Sequence, residues 1–204
     1  MKAAASFNDQ REFWEEAHAT DDLLMLSGYD GPNIWRRLKI EDRVVPGANV
    51  LNIGVGLALC ERDLHERGCI VSSLDTSWTA LQRVSAFATI WHETALDRLP
   101  RQTYDLVMCH LVWQHMLDEQ LVRQIAGVVP ALKPDGVFAA QFLGPAPVPL
   151  DRPYTMHDAM AGGVSRSADE VAALVEQAGG KVNLLTESDS GPDWLWMIVH
   201  IHGR

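Results

Sequence analysis

Residues 50–56 of the chain read VLNIGVG, and this stretch decides the fold. Its first four residues form a short run, apolar except for Asn52, of the kind that makes a buried parallel strand. Gly54 and Gly56 then allow the backbone to turn sharply and allow a ligand to approach the main chain. The stretch therefore predicts a central strand that ends at a ligand-binding turn.

The segment after the glycine turn predicts a second strand that ends in a carboxylate. Leu57–Arg67 has the pattern of a helix, and Gly68 is typical of the residue that follows a helix end. Cys69–Leu74 reads as a buried strand, and Asp75 closes it 19 residues after Gly56. A carboxylate there can accept hydrogen bonds from both hydroxyls of a ribose. The two strand ends predict a nucleoside-binding site, with a purely structural turn as the alternative.

The rest of the chain alternates strand-like and helix-like segments, which predicts βαβ units and a parallel sheet. Its helices are predicted at residues 77–88, 117–132 and 167–178. Its further strands are predicted at Tyr104–Cys109, Val137–Leu143, Val182–Thr186 and Leu195–Ile201. The last two strands lie too close in sequence for a crossover helix and should pair antiparallel. The fold class is therefore α/β, a three-layer, doubly wound, mostly parallel sheet with a terminal antiparallel hairpin.

The N-terminal residues differ in character from this α/β part. Residues 1–48 read as helical and polar-rich, whereas residues 49–204 carry the alternating pattern. We expect the first segment to form a lid or cap over the site, and its aromatic side chains to close over the ligand. These side chains are Phe7, Trp14, Tyr29 and Trp35. The alternative is that they only hold the segment against the sheet.

The glycine turn also limits the kind of nucleoside. A dinucleotide-binding turn requires a small residue at its third glycine position, where this chain has Leu59. The Gly-Lys-Ser/Thr sequence of a P-loop does not follow either. The site thus offers a hydrogen-bond acceptor for the ribose hydroxyls, but its turn lacks the residues that hold a phosphate strongly. This favours a nucleoside cofactor without phosphates and disfavours a nicotinamide-dependent oxidoreductase.

Further motifs follow the glycine turn in a fixed order. They are Asp75-Thr76-Ser77 with Leu81, Leu99-Pro100 with residues 104–107, residues 112–116, residues 132–136 and residues 166–179. With the turn itself, they resemble the class I S-adenosylmethionine-dependent methyltransferases of the small-molecule type, over about residues 45–204. The resemblance implies a seven-stranded sheet with a terminal hairpin, S-adenosylmethionine as cofactor, and methyl transfer to an O, N or C atom of a small acceptor.

The resemblance also implies roles for individual residues. The glycine turn would approach the methionine part of the cofactor, Asp75 would hold the ribose hydroxyls, and Thr76 would flank the adenine. Thr94 and Ala95 would contact the adenine edge, and His110 and Leu111 would lie beside the sulfonium and the acceptor. The implied cofactor-binding residues are Asn52, Gly54, Val55, Gly56, Asp75, Thr76, Thr94, Ala95, His110 and Leu111.

Two positions depart from the family pattern. Asn52 stands where the family usually has Asp or Glu, and Ala58 stands where it often has Gly. Asparagine keeps the shape of the acid and loses its charge, so cofactor affinity should fall by about 1–2 kcal/mol, and Asn52→Asp should bind more tightly. The alternative function is therefore a catalytically weak or inactive module that binds S-adenosylmethionine or S-adenosylhomocysteine.

Two histidines are the candidate catalytic residues. His110 directly follows a predicted strand, which makes it better placed than His115. A general base helps methyl transfer to a hydroxyl, whereas a neutral amine or a thiolate does not strictly require one. For each histidine the alternative is a structural or substrate-shaping role. The predicted substrate-binding residues are Trp14, Tyr154 and His157.

Composition limits the partners and the compartment. The 204 residues carry a net charge of −10, which argues against nucleic acid and anionic membranes and suits a neutral or cationic acceptor. Three cysteines without a metal-ligand motif predict no bound metal and a cytoplasmic protein. Trp194 and Trp196 share one face of the last strand. This face either packs in the core or forms the surface of a homodimer.

Overall fold

A computed structural model describes residues 6–21, 33–145, 152–190 and 195–203 of the chain. Its strands are β1 Asn49–Ile53, β2 Ile70–Asp75, β3 Thr89–His92, β4 Tyr104–Cys109, β5 Leu132–Leu143, β6 Lys181–Ser190 and β7 Leu195–His202. They form one seven-stranded sheet in the order β3-β2-β1-β4-β5-β7-β6. Strands β1–β5 pair in parallel, and β7 pairs antiparallel with both β5 and β6. This confirms the predicted sheet and its terminal hairpin.

Helices cover both faces of the sheet. They are α1 Phe7–Ala19, α2 Asn33–Arg37, α3 Leu59–Glu66, α4 Trp78–Gln82, α5 Asp118–Val128, α6 Met156–Met160 and α7 Ala168–Gln177. Short 3-10 helices lie at Glu41–Arg43, Glu93–Arg98, Trp113–His115 and Val129–Ala131. Successive residues of β1 point to opposite faces, so Val50 packs in one apolar cluster while Leu51 and Ile53 pack in the other. The two cores confirm the three-layer architecture.

Two local predictions differ from the structure. The helix predicted at residues 77–88 is α4, which ends at Gln82 because the backbone then continues as turns, in which the Val84 and Phe87 amides donate to carbonyls three residues earlier instead of four. Pro134 and Gly136 are typical of a turn and predict one at residues 133–136, but these residues lie within β5, where the pairing with β4 shifts register. Pro134 cannot donate to a sheet ladder and is tolerated at such an irregularity.

Helix α1 lies against the edge of the sheet where β1, β2 and β4 end. It begins with a capping box in which Ser6 and Asp9 exchange hydrogen bonds. Glu15 accepts hydrogen bonds from the backbone and hydroxyl of Thr79 at the start of α4. The Arg83 guanidinium donates to the carbonyls of His18, 2.6 Å away, and Gly56, 2.9 Å away. These contacts tie the N-terminal helix to the glycine turn.

Tryptophans occupy several distinct environments. Trp113 is fully buried and donates to Gln124 Oε1 at 2.8 Å, whereas Trp78 is 54% exposed and stacks on His92. Of these two tryptophans, which stand next to the cofactor motifs in the sequence, only Trp113 therefore belongs to the core. Trp194 lies outside the described residues, and Trp196 on β7 lines the cavity described below. No helix among the described residues is long and apolar enough to cross a membrane.

Candidate functional site

A cavity of about 800 Å³ runs along the carboxyl ends of β1, β2 and β4, beneath α1. The glycine turn and the loop after β4 both line it, and they meet where Gly54 approaches Val112. Trp14 and His18 of α1 face it from above. Ligands of open α/β sheets bind at this edge of the fold, and the volume is within the range of small-molecule sites.

The glycine turn is held in a conformation that requires glycine. Gly54 has a φ of +89°, and a Cβ there would lie 2.5 Å from Val112 Cγ2. The Gly54 amide donates to the Leu74 carbonyl at 2.9 Å, which ties the turn to the end of β2. Gly56 also has a positive φ, of +53°. The turn therefore brings bare backbone to the cavity surface.

Asp75 is fixed by the backbone on both sides of it. Its Oδ2 accepts from the Val55 amide at 2.7 Å and its Oδ1 from the Ser77 amide at 2.8 Å. Each carboxylate oxygen can accept a second hydrogen bond, so the group can still receive two hydroxyls from the cavity that it lines. The predicted pairing of the glycine turn with Asp75 is thus a direct contact.

Asn52 is joined to a buried carboxylate that the sequence reading missed. Its Nδ2 donates to Glu61 Oε1 at 2.7 Å and to the Gly54 carbonyl at 3.0 Å. Glu61, on α3, is 0% exposed, and burial raises its pKa to about 7 despite the hydrogen bond from Asn52. The available signal was its spacing from Leu64, because residues three apart on a helix share a face. Asn52 lines the cavity, and Glu61 lies behind it.

His110 and Leu111 lie in the cavity wall directly after β4. The Nε2 atom of His110 is buried and has no hydrogen-bond partner among the described residues. Burial, and secondarily the charge of Arg37, lowers the pKa of His110 to about 4, so its ring is neutral at physiological pH. Leu111 has a φ of +54°, an uncommon conformation for a residue with a branched side chain.

His115 lines the cavity and contacts α1. Its Nδ1 is 3.1 Å from the Ala159 carbonyl, which can only accept, so Nδ1 carries the proton and Nε2 holds a free lone pair. Burial lowers the pKa of His115, so the ring is neutral at physiological pH. Gly162 makes room for this ring, because a Cβ there would lie 2.9 Å from His115 Cε1.

Helix α1 is anchored to the loop that carries His115. The Trp14 and His115 rings meet edge to face, with centroids 4.7 Å apart. Gln10 donates to the His115 carbonyl and accepts from Gln120 Nε2 at 2.6 Å. The Nδ1 atom of His18 is buried without a partner among the described residues, and burial lowers the pKa of that ring. The cavity roof thus presents one indole and one neutral imidazole.

Four predicted residues do not line this cavity. Thr94 Oγ1 lies 2.8 Å from His92 Nδ1, and Thr94 and Ala95 stand between two residues that do line it, Glu93 and Leu96. Tyr154 lines a separate depression. His157 is exposed on α6. The cavity does bring together Trp14, Asn52, Gly54, Val55, Gly56, Asp75, Thr76, His110, Leu111 and His115.

Comparison with known proteins points to one kind of domain. Residues 51–140 match a family model described as a methyltransferase domain. Comparison with curated proteins gave no match.

The chain is also similar to several solved structures. One is an S-adenosylmethionine-dependent methyltransferase from Mesorhizobium loti, with 22% identity, a TM-score of 0.63, and 84% of this chain and 98% of that one covered. Another is such an enzyme from Leishmania major, with 17% identity, a TM-score of 0.67, and 96% and 82% covered. A third is described as a putative zinc-dependent alcohol dehydrogenase from Rhodobacter sphaeroides, with 17% identity, a TM-score of 0.69, and 96% and 98% covered.

At these identities the structural likeness shows the fold alone. Together with the family-model match, it confirms the resemblance to the class I S-adenosylmethionine-dependent methyltransferases. Residues 51–140 therefore match a methyltransferase domain, and the chain has the Rossmann-like methyltransferase fold.

Proposed function

From this domain, we propose that the protein transfers a methyl group from S-adenosylmethionine to an O, N or C atom of a small-molecule acceptor. The observation that carries the proposal is the contact between the glycine turn and Asp75, at 2.7 Å from the Val55 amide to the carboxylate. This contact puts a carboxylate that can accept hydrogen bonds from hydroxyls next to exposed backbone in one cavity. A ligand made of a nucleoside joined to a flexible amino acid needs both.

The residues present fit this cofactor. Asp75 has spare lone pairs for the ribose hydroxyls, and Thr76 stands next to it on the cavity surface. Gly54 and Gly56 leave the main chain open toward the amino-acid end. Two further contacts, of Thr94 and Ala95 with the adenine edge, remain proposals that the cavity lining does not support.

When bound, the cofactor supplies an activated methyl group on a sulfonium. The chain's own task is to align the acceptor with that methyl group and to exclude water. Helix α1 covers the cavity, and Trp14 and His115 narrow it at the acceptor end. We infer that residues 1–48 act as the lid of the domain at 49–204.

His115 is the better candidate for proton transfer. Its Nε2 lone pair is free because Nδ1 donates to the Ala159 carbonyl, so the ring can take a proton from an acceptor hydroxyl. His110, with a pKa of about 4, is a weak base by comparison. We therefore propose that His115 accepts the proton and that His110 only lines the site of methyl transfer.

The acceptor is proposed to be small, and neutral or cationic. One cavity of about 800 Å³ must hold both reactants, and the chain carries a net charge of −10. Nucleic acid and anionic membrane surfaces are poor partners for such a charge. The described cysteines are buried thiols, which suits the cytoplasm. Size-exclusion chromatography tests whether the terminal strand forms a homodimer surface.

Calorimetric titration with S-adenosylmethionine and S-adenosylhomocysteine tests the proposal. We expect both to bind wild type and Asp75→Ala to lose at least tenfold in affinity, because a charged hydrogen-bond acceptor is removed. Asp105→Asn is the matched control, since Asp105 pairs with Lys133 at the opposite end of β4. Absence of binding to wild type would overturn the proposal. Binding without methyl transfer across a broad acceptor screen would favour the inactive binding module.

A further inference from the structure

The pair formed by Asn52 and Glu61 is more than a packing detail. A carboxylate that is 0% exposed is costly to bury unless charge or hydrogen bonds compensate it. Glu61 receives a close hydrogen bond from Asn52 Nδ2 at 2.7 Å and a longer one from the Ser73 hydroxyl at 3.4 Å, and its own backbone amide also favours the ionised form. Among the described residues it forms no ion pair, and its Oε2 has no hydrogen-bond partner. A group on a bound ligand would explain why the chain carries an acid at this position.

The orientation of the Asn52 amide follows from its neighbours. Both groups on its Nδ2 side, Glu61 Oε1 and the Gly54 carbonyl, accept hydrogen bonds. The amide nitrogen must therefore point at them, which leaves Oδ1 for the cavity that Asn52 lines. An oxygen at the cavity surface with a carboxylate directly behind it is a site for a cationic hydrogen-bond donor.

We propose that Glu61 is a positioning residue for cofactor binding. It holds the Asn52 amide with Oδ1 toward the cavity, and it supplies the negative charge that attracts the ammonium group of the ligand's amino-acid end. The inference rests on the proposed function, since it takes the ligand to be S-adenosylmethionine or its product. The acid that the family usually carries on β1 is thus replaced by an acid on α3 that acts through an amide.

The arrangement reverses the expectation drawn from the sequence for Asn52→Asp. An aspartate at that position would place two carboxylates within hydrogen-bond distance of each other, because Glu61 already lies 2.7 Å from the side chain. Two carboxylates that share a site cannot both ionise, so the pair would gain no charge and would lose a hydrogen bond. We therefore expect Asn52→Asp alone to bind no more tightly than wild type.

The experiment compares two ligands on wild type and Glu61→Gln. S-Adenosylhomocysteine carries the amino-acid end, and 5′-methylthioadenosine has the same nucleoside without it. The glutamine can still accept from Asn52, so the variant removes the charge while it keeps the shape. We expect Glu61→Gln to bind S-adenosylhomocysteine about tenfold more weakly and 5′-methylthioadenosine as wild type does. A purely structural role would weaken both ligands alike, or neither, and either result would overturn the proposal.

The double variant Asn52→Asp/Glu61→Gln completes the test. It moves the single acid back to β1, so its affinity for S-adenosylhomocysteine should return to within about threefold of wild type, well above Glu61→Gln. Failure to recover would contradict the proposal. Thermal unfolding of the ligand-free proteins shows that each variant is folded. If wild type binds neither S-adenosylmethionine nor S-adenosylhomocysteine, the proposed function itself fails; if wild type binds and Glu61→Gln matches it, only this inference fails.

Discussion

The Trp14 ring of α1 stands edge to face on the His115 ring, with centroids 4.7 Å apart. Gln10, one helical turn earlier, donates to the carbonyl of the same histidine. The N-terminal helix and the loop after β4 are therefore one assembled wall. The residue proposed to accept the proton is therefore held partly by α1, the helix of the proposed lid.

Removing the indole should open the acceptor end of the cavity. We expect Trp14→Ala to lower kcat/KM for the acceptor about tenfold, because both alignment and water exclusion suffer, while S-adenosylhomocysteine binding changes less. Steady-state kinetics and calorimetry measure the two effects. Trp78→Ala is the control, because that tryptophan is 54% exposed and lies outside the cavity lining. Equal losses in both variants would argue against a role for Trp14 at the site.

The pH dependence of methyl transfer should identify the proton acceptor. A base must be unprotonated to act, so activity is lost as pH falls through its pKa. Burial lowers the pKa of His115 below its ordinary value of 6.5, so we expect a plateau at neutral pH and an acid limb below 6.5. His115→Gln should abolish that limb and reduce kcat by about 10²–10⁴-fold with a hydroxyl acceptor.

The same profile distinguishes the two histidines. The pKa of His110 is lowered to about 4, so an acid limb near pH 4 that survives in His115→Gln would assign the base to His110. His157→Gln is the control, since His157 is exposed on α6 and its loss should leave the profile unchanged.

Glu61 should make the ligand-free protein less stable as pH rises. Burial, together with the nearby charge of Asp75, raises the pKa of Glu61 from 4.5 to about 7, although Asn52 and Ser73 donate to it. Below pH 4.5 the Glu61 carboxyl is protonated in both the folded and the unfolded state, so its burial does not lower the free energy of unfolding. Between pH 4.5 and 7 the unfolded chain ionises first, so stability falls, and above 7 the full cost remains.

Glu61→Gln removes that cost. We expect it to stabilise the ligand-free protein by about 1–3 kcal/mol at pH 8 and by little at pH 4.5. Thermal unfolding at several pH values measures the difference, and each kcal/mol should move Tm by about 2–4 °C. A variant less stable than wild type at pH 8 would show that Glu61 contributes to folding.

Glycine is required at the turn for two separable reasons. Gly54 and Gly179 have nearly the same φ, +89° and +85°, but a Cβ at Gly54 would lie 2.5 Å from Val112 whereas nothing lies within 4 Å at Gly179. We expect Gly179→Ala to cost about 1–2 kcal/mol from backbone strain alone. Gly54→Ala should cost more than that and weaken S-adenosylhomocysteine binding. Similar unfolding free energies for the two variants would contradict the clash.

The sequence was informative where the signal is local. The apolar run 50–53, the glycines after it and Asp75 at the next strand end are read from neighbouring residues, and parallel pairing then brings the two strand ends together. The hairpin followed from a connection too short for a helix. These features depend on chain geometry more than on packing, which is why the fold and the floor of the site were predictable.

The missed features depend on how distant elements dock. Glu61 reads as one more acid in a polar helix until α3 packs its face against β1. The room that Gly162 leaves for His115 depends on contact between the segment after α6 and the loop after β4. Tyr154 was predicted to bind the substrate, yet its hydroxyl lies 2.5 Å from Ser165 Oγ in a different depression. Spacing along the chain carries none of this information.

The proposed link between Asn52 and Glu61 also restricts the mutational routes between this chain and a sequence that carries the single acid on β1. If Glu61 arises first, two carboxylates compete for one place, and if the acid on β1 is lost first, no charge remains. We expect each single change to give a weaker binder than either wild type or the double variant. The two positions are therefore expected to be epistatic, so that the residue tolerated at one depends on which residue already occupies the other.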